Sequence, residues 1–444
     1  MSDEYIEDLF SFSIRQSEEI PKKKMGKIKK VGYTTIAYKY KVKCSDETKK
    51  RIDECLYLCR LYYNSCIEER ILRYDRIKHL RGSDEWKKAM SSLPNFYSQK
   101  KELPKIKEFD ERFKKYPSNI FQNVAERVNR SYQNFFRGSG YPEFKSRKKY
   151  NSFTMSYSNG YHIDHIGSTK LRAIQTELFG NYDIIKPFVK ITGIGTLKLL
   201  SFHERPIRGI INSVTVSQDK YGETYVSFSC DVIPSHHPKT GLQIGIDVGI
   251  NRYLALSDGN FVENPKFIKE FESKRRLFNR ALARKKKFSN KWRLNSTQIK
   301  NLSKKESMKR IDFQHKITSY LVLKYDTIVC EELQIKNMTK SASGTIEDPG
   351  TNVKAKSGLN KSLLDGAYYR FFQMLRYKCN LYGKTFIQVP PHNTSLTCSN
   401  CGYKDKGNRP SQETFECLKC GHKDNADTNA SKNILKLGLD RLTK

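Results

Sequence analysis

No stretch of this 444-residue sequence approaches 18 consecutive apolar residues, which excludes a conventional membrane-spanning helix. The opening MSDEYIEDLF is acidic where a secretory leader is basic, so an intracellular, cytoplasmic protein without a membrane partner is expected. A disulfide framework is missing as well. Eleven cysteines are present, an odd number, and four of them sit in two CxxC pairs, which fits a reducing compartment. Acidic residues are scarce: 47 Asp and Glu stand against 82 Lys and Arg, a formal charge of +35. Such a surplus repels itself unless a polyanion neutralises it, so nucleic acid is the expected partner. A 37% hydrophobic content and a mean hydropathy of −0.70 suit two or three domains with modest cores.

Composition changes along the chain. Residues 1–20 are acidic and aperiodic and read as a mobile extension, followed by the basic run PKKKMGKIKK. GYTTIAYKYKVK alternates like a strand. Ser45 then caps a helix whose stripe is Ile52, Cys55, Leu56, Cys59, Tyr63 and Cys66, with the cysteines acting as core. A second helix enters at Pro117 and Ser118 and spaces Ile120, Val124, Val128, Tyr132, Phe135 and Phe136 along one face. Period two returns in FVKITGIGTLKLL and in INSVTVSQDKYGETYVSFSCDV, a hairpin turning at Asp219 to Gly222. The expected organisation is α+β: a small β-barrel from 21–45 and 138–233 with helices 46–137 inserted. IPSHHPKTG then supplies a linker at 234–240, where His236 and His237 are expected to be solvated.

Three acids in the C-terminal half occupy unusual positions. LQIGIDVGINRYLALSDG reads as two strands, and Asp247 lies inside the first of them, where an unpaired carboxylate is costly; a cation should meet it. Asp258, by contrast, is a turn residue. YDTIVCEELQIKNM is another apolar strand ending in Glu331 and Glu332, only one of which can share a face with Asp247. In DNADTNASKNILKLGL, Asp424 or Asn425 can cap a helix with Asp427 in its first turn, and Ala426 and Ala430 would let that helix lie close on a sheet. Asp, Glu and Asp in a basic protein are the parts for two magnesium or manganese ions about 4 Å apart acting on a phosphodiester.

Between the second and third acids stand Cys398, Cys401, Cys417 and Cys420, spaced CxxC, fifteen residues, CxxC. That spacing suits one structural zinc held by four thiolates, with Gly402 and Gly421 permitting the turns and His422 superfluous.

The order GIDVGI, IVCEEL, TSLTCSNCG, CLKCGH and DNADTNASKNI resembles the split RuvC nuclease of the TnpB family, transposon-encoded RNA-guided nucleases related to the miniature type V CRISPR effectors. YQNFFRGSGYPEFKSRKKYNSF, RALARKKKFSNKWR and LLDGAYYRFFQMLRYKCNLYGKTFIQVPPHNTSLTC extend the likeness over nearly the whole chain. The resemblance selects Asp247, Glu331 and Asp427 as the catalytic, magnesium-binding residues. It implies a wedge-like barrel, a helical recognition domain at 46–137, an RNase H-like RuvC domain at 241–391 and 423–444, and a zinc-ribbon insertion at 392–422. Arg409 resembles a position that approaches the substrate strand.

Two further stretches concern binding. SKRRLFNRALARKKKFSNKWR places Arg276, Arg280 and Arg284 one turn apart, followed by Lys285, Lys286 and Lys287, with Leu277, Phe278, Ala281 and Leu282 on the packing flank. With the overall charge, this reads as a contact for an RNA or heteroduplex backbone. NMTKSASGTIEDPGTNVKAKSGLNKS is poor in apolar residues and reads as a mobile lid. Tyr368, Phe371, Phe372, Leu375 and Tyr382 read as core.

The expected function is RNA-guided DNA cleavage, by a monomer or a homodimer on RNA, with target duplex and displaced strand as further partners. A CRISPR effector with the same chemistry, a guided DNA-binding regulator without cleavage and a guide-independent junction nuclease are the alternatives.

Overall fold

The structure, a computed structural model, describes residues 32–156, 188–201, 207, 209–235, 237–344, 347, 349–391 and 393–443. The expected acidic extension at 1–20 lies outside them.

In the N-terminal half, alternating residues build a six-stranded antiparallel sheet. Strands β1 (Thr34–Lys43), β2 (Ser152–Ser156), β3 (Phe188–Ile191), β4 (Gly195–Leu199), β5 (Ile210–Gln218) and β6 (Thr224–Val232) lie in the order β2-β5-β6-β1-β4-β3. The strand before the helices does pair with the later ones, Tyr38 facing Phe228 across β1 and β6. Asp219 makes the β5–β6 turn by accepting the N–H groups of Tyr221 and Glu223, each at 2.9 Å. FVKITGIGTLKLL, where period two was expected, forms two strands. It folds into the β3–β4 hairpin, because Gly193 adopts φ +78° where a β-carbon would meet the Lys115 carbonyl oxygen at 2.1 Å.

Helix α1 (Asp46–Ile77) starts at Ser45, whose hydroxyl accepts the Thr48 N–H, and α2 (Ser118–Phe136) crosses it. The predicted stripe residues of α1 are buried, cysteines included. Helices and sheet share one apolar core containing Ile52, Cys59, Ile120, Val124, Phe153 and Phe228. Phe136 departs from expectation: it is 77% exposed at the last position of α2.

The C-terminal half is built on a mixed sheet. Strands β7 (Gln243–Val248), β8 (Arg252–Leu256) and β9 (Phe261–Glu263) form an antiparallel meander. Helices α3 (Phe267–Ala283) and α4 (Asn290–Lys324) lead to β10 (Thr327–Glu331), which is parallel to β7. Helices α5 (Val353–Gly366) and α6 (Tyr368–Tyr382) lead to β11 (Thr385–Val389), parallel to β10, giving the order β11-β10-β7-β8-β9. Tyr368, Phe371, Phe372 and Leu375 are buried against this sheet as expected, with Tyr382 partly buried.

Three features of this half differ from the sequence reading. Ten of the 26 residues of the supposed lid belong to helix α5, anchored by buried Asp365, which accepts Arg310 at 2.5 Å and the Ile268 N–H at 3.0 Å. Leu277 of α3 is 63% exposed, so the packing side of that helix is set by Phe267 and Phe271. His237 is half-buried, its ring edge-on to Tyr382 at 4.5 Å. The linker is pinned nearby: buried Lys384 donates to Asp326 at 2.5 Å and to the Pro238 carbonyl at 3.1 Å. Although burial raises the Asp326 carboxyl, Lys384 and the Gly241 N–H hold it down at about 2.

The last strands, β12 (Thr414–Glu416) and β13 (Lys423–Asn425), form a small antiparallel ribbon that runs without a break into helix α7 (Ala426–Leu442). α7 lies very close on the sheet, and the glycines explain how. A β-carbon on Gly245 of β7 would meet the Ser431 carbonyl at 2.1 Å, and one on Gly438 would meet Val329 of β10 at 2.4 Å. Ala430 is buried, and Ala426 packs into the ribbon with Cys398, Phe415 and Cys417. Among the described residues no helix is long and apolar enough to cross a membrane.

Candidate nuclease site and zinc ribbon

Sheet register and helix packing bring the three predicted acids to one end of the mixed sheet. β7 and β10 pair in parallel with Ile246 beside Cys330, so Asp247 and Glu331 are the next residues of each strand and point to one face. Glu332, on the opposite side of the pleat, is exposed, and its N–H bonds to the Val389 carbonyl at 2.7 Å. α7 adds Asp427 from its first turn. Its cap is Asn425, whose side-chain oxygen accepts the Asp427 and Thr428 N–H groups at 3.1 and 3.4 Å. Asp424 is engaged elsewhere, accepting Lys432 at 2.8 Å.

The electrostatics register this convergence. Burial first, then the charges of Glu331 and Asp427, push the Asp247 carboxyl up to about 7. Burial raises Glu331 as well, opposed by the Thr394 hydroxyl, which donates to it at 3.2 Å. A buried carboxyl raised by two neighbouring acids belongs to a donor set suited to a divalent cation, which favours its charged form. All three ligands are hard oxygens, as magnesium or manganese requires.

The cation expected near Asp247 is Arg409. It reaches from the ribbon loop, donating to Asp427 at 3.3 Å and to the Gln412 carbonyl at 2.6 Å, and its charge lowers Asp247.

Cys398, Cys401, Cys417 and Cys420 place their sulfurs within 4.8 Å of one another, a group able to hold a metal ion. The set is closed and all-thiolate, compatible with zinc. The Cys420 thiol is lowered to about 7, first by the His422 backbone N–H. The His422 ring stands outside the thiol group, its Nε2 at 3.9 Å from Asp424.

Two buried asparagines were not singled out from the sequence. Asn429 accepts the Ser399 N–H at 2.9 Å and donates to the Thr397 carbonyl at 2.8 Å. Asn433 donates to the carbonyls of Thr394 and Thr397 at 2.9 and 2.7 Å. They staple α7 to the turn leading into the ribbon, and through Thr394 that staple reaches Glu331. Their spacing, one helical turn apart in NASKN, was the available signal.

Arg276 pairs with Glu272 at 3.1 Å on α3. Arg280, Arg284, Lys285, Lys286 and Lys287 are exposed toward and around the α3–α4 turn.

Comparison with known proteins is consistent across sequence and structure. Residues 215–342 match the family OrfB_IS605, described as "Probable transposase", and residues 368–434 match the Cas12f1-like TNB domain. InsQ of Escherichia coli (strain K12), whose name assigns it to the RNA-guided DNA endonucleases, is 34% identical over 325 residues, 72% of this chain and 75% of that protein. A Streptomyces pristinaespiralis protein named for the same activity is 26% identical over 412 residues, 91% of this chain and 89% of its own. The protein chain in the cryo-EM structure of the Cas12f1–sgRNA–target DNA complex is similar with a TM-score of 0.52 at 14% identity, over 91% of this chain and 99% of that one. That likeness concerns the fold, an α+β architecture shared with Cas12f1.

Proposed function

This chain belongs to the TnpB family of RNA-guided DNA endonucleases, and we propose that Asp247, Glu331 and Asp427 are its catalytic residues, holding two magnesium or manganese ions. The observation that carries this reading is the delivery of three carboxylates from β7, β10 and α7 to one end of the mixed sheet, where the charges of Glu331 and Asp427 raise the Asp247 carboxyl. The meander followed by two parallel strands supports a RuvC-type, RNase H-like domain.

When bound, the two ions would activate a water and stabilise the leaving oxygen of a DNA phosphodiester. The chain's own groups set the stage. The Thr394 hydroxyl orients Glu331, the Asn425 cap fixes the first turn carrying Asp427, and Arg409 offers a guanidinium beside that turn for a non-bridging phosphate oxygen. The four thiolates hold one zinc and with it the shape of the ribbon from which Arg409 extends.

A guide RNA supplies sequence recognition by pairing with target DNA. The N-terminal sheet and helices, as wedge-like and recognition modules, read a short flanking duplex motif, and displaced strand is fed to the single acidic site. The surplus of basic charge suits a protein that grips an RNA–DNA heteroduplex by its backbone.

The test is Asp247→Ala in the guide-bound protein with magnesium. Cleavage is lost while guided DNA binding persists. Cutting at the wild-type rate by a clean preparation removes the assignment.

A further inference from the structure

The turn between α3 and α4 carries a residue that its backbone disfavours. Phe288 has φ +70°, in the left-handed region where glycine and asparagine are at home, yet its ring is 62% exposed. The ring stands edge-on to Trp292 at 5.5 Å, and the Lys287 ammonium lies 5.3 Å from its centre. Ser289 sets the start of α4 by accepting the Trp292 N–H at 3.2 Å, so the indole supporting Phe288 is itself fixed. Around this pair Arg284, Lys285, Lys286, Lys287, Lys291 and Arg293 are exposed. No Asp or Glu occurs between Glu272 and Glu306, a stretch with thirteen Lys and Arg.

A solvent-facing aromatic ring inside a cluster of cations with no acid nearby matches one ligand chemistry: an unpaired nucleobase whose flanking phosphates meet the cations while its face meets the ring. We propose that Phe288, backed by Trp292, is a stacking platform for an unpaired base of the guide RNA. RNA is favoured over the displaced DNA strand by distance. The tip stands one α3 length, 17 residues or about 25 Å, from the end of that helix nearest the catalytic sheet. The inference rests on the guide-RNA reading above.

The test uses the full chain. It has two tryptophans, so Trp86→Phe leaves Trp292 as the sole indole beside the platform. In that background oligo(rA) quenches Trp292 emission, and Phe288→Ala raises the half-quenching concentration about ten-fold, the loss of one stacked base. Phe288→Tyr preserves the wild-type midpoint. Phe288→Gly, which relieves the backbone, gives the same loss as Phe288→Ala and so separates stacking from folding. The salt dependence discriminates further: Phe288→Ala keeps the log–log slope, whereas Lys286→Ala lowers it by about one. An unchanged midpoint in both Phe288→Ala and Phe288→Gly, with wild-type quenching intact, overturns this site alone. An equal ten-fold shift with oligo(dA) overturns the choice of RNA. Absence of wild-type quenching together with absence of co-purifying RNA overturns the guide-RNA reading itself.

Discussion

The zinc ribbon and the acidic site use opposite strategies to gather ligands. Each pair of thiols is delivered by one tight turn, so most of the ribbon's geometry is local and the sulfurs converge within 4.8 Å. The carboxylates come from positions 247, 331 and 427, and only strand register and helix packing unite them. The two sites therefore rest on different supports. The ribbon's thiol cluster would depend on a bound metal, as small zinc modules do, and the acidic site on the close packing of α7 against β7 and β10.

The most damaging way to probe this contrast is at the acids themselves. Asp247→Asn is expected to lower cleavage by roughly three orders of magnitude, the equivalent of several kcal/mol of lost transition-state charge stabilisation, with zinc content unchanged. Single-turnover cleavage and elemental analysis on the same sample check both halves. Next comes Cys401→Ser, which is expected to release zinc and to reduce cleavage as the ribbon loosens; full zinc content would show that the thiol is not a ligand.

Packing should matter at a distance from either ligand set. Gly438→Ala, which drives a β-carbon into Val329, is expected to cost about 1–3 kcal/mol in urea unfolding and to slow cleavage without touching a carboxylate. Unaltered stability would mean that α7 can shift freely.

A smaller effect concerns pH. The folded-state Asp247 carboxyl lies near 7 against an ordinary 3.8, so the folded protein retains that proton longer than the unfolded chain. In magnesium-free buffer, stability is therefore expected to fall as pH rises from about 4 to about 7, by on the order of 2 kcal/mol after allowance for partial exposure. Asp247→Asn should flatten that slope in thermal melts, and a slope equal to wild type would contradict the shared charge. The least effect on metal is expected at Cys59→Ala, a thiol used as packing: about 1–2 kcal/mol of stability is lost and the zinc stays.

Much of this architecture was legible because its signals are local. Ser45 as a cap, the α1 stripe, the Asp219 hairpin and the CxxC spacing each encode their structure within a few residues. Asp247 was conspicuous as a charge inside an apolar strand. Choosing Glu331 over Glu332, and Asp427 over Asp424, needed the family resemblance, since register between β7 and β10 and the capture of Asp424 by Lys432 are tertiary facts. The lid segment misled because α5 draws its anchorage from Arg310, on another helix, rather than from an apolar stripe of its own. Gly245 and Gly438 gave no sequence signal of a close helix–sheet contact, because what they avoid is a clash with residues far along the chain.

The junction at Asn425 and Ala426, where the ribbon's outgoing strand becomes α7 with no residue between, makes the ribbon a lever without slack. With the helix clamped by its glycine contacts, one residue inserted at that junction would swing the ribbon about 100° around the helix axis and carry Arg409 away from Asp427. Changes of length in this protein should therefore be rejected at that hinge.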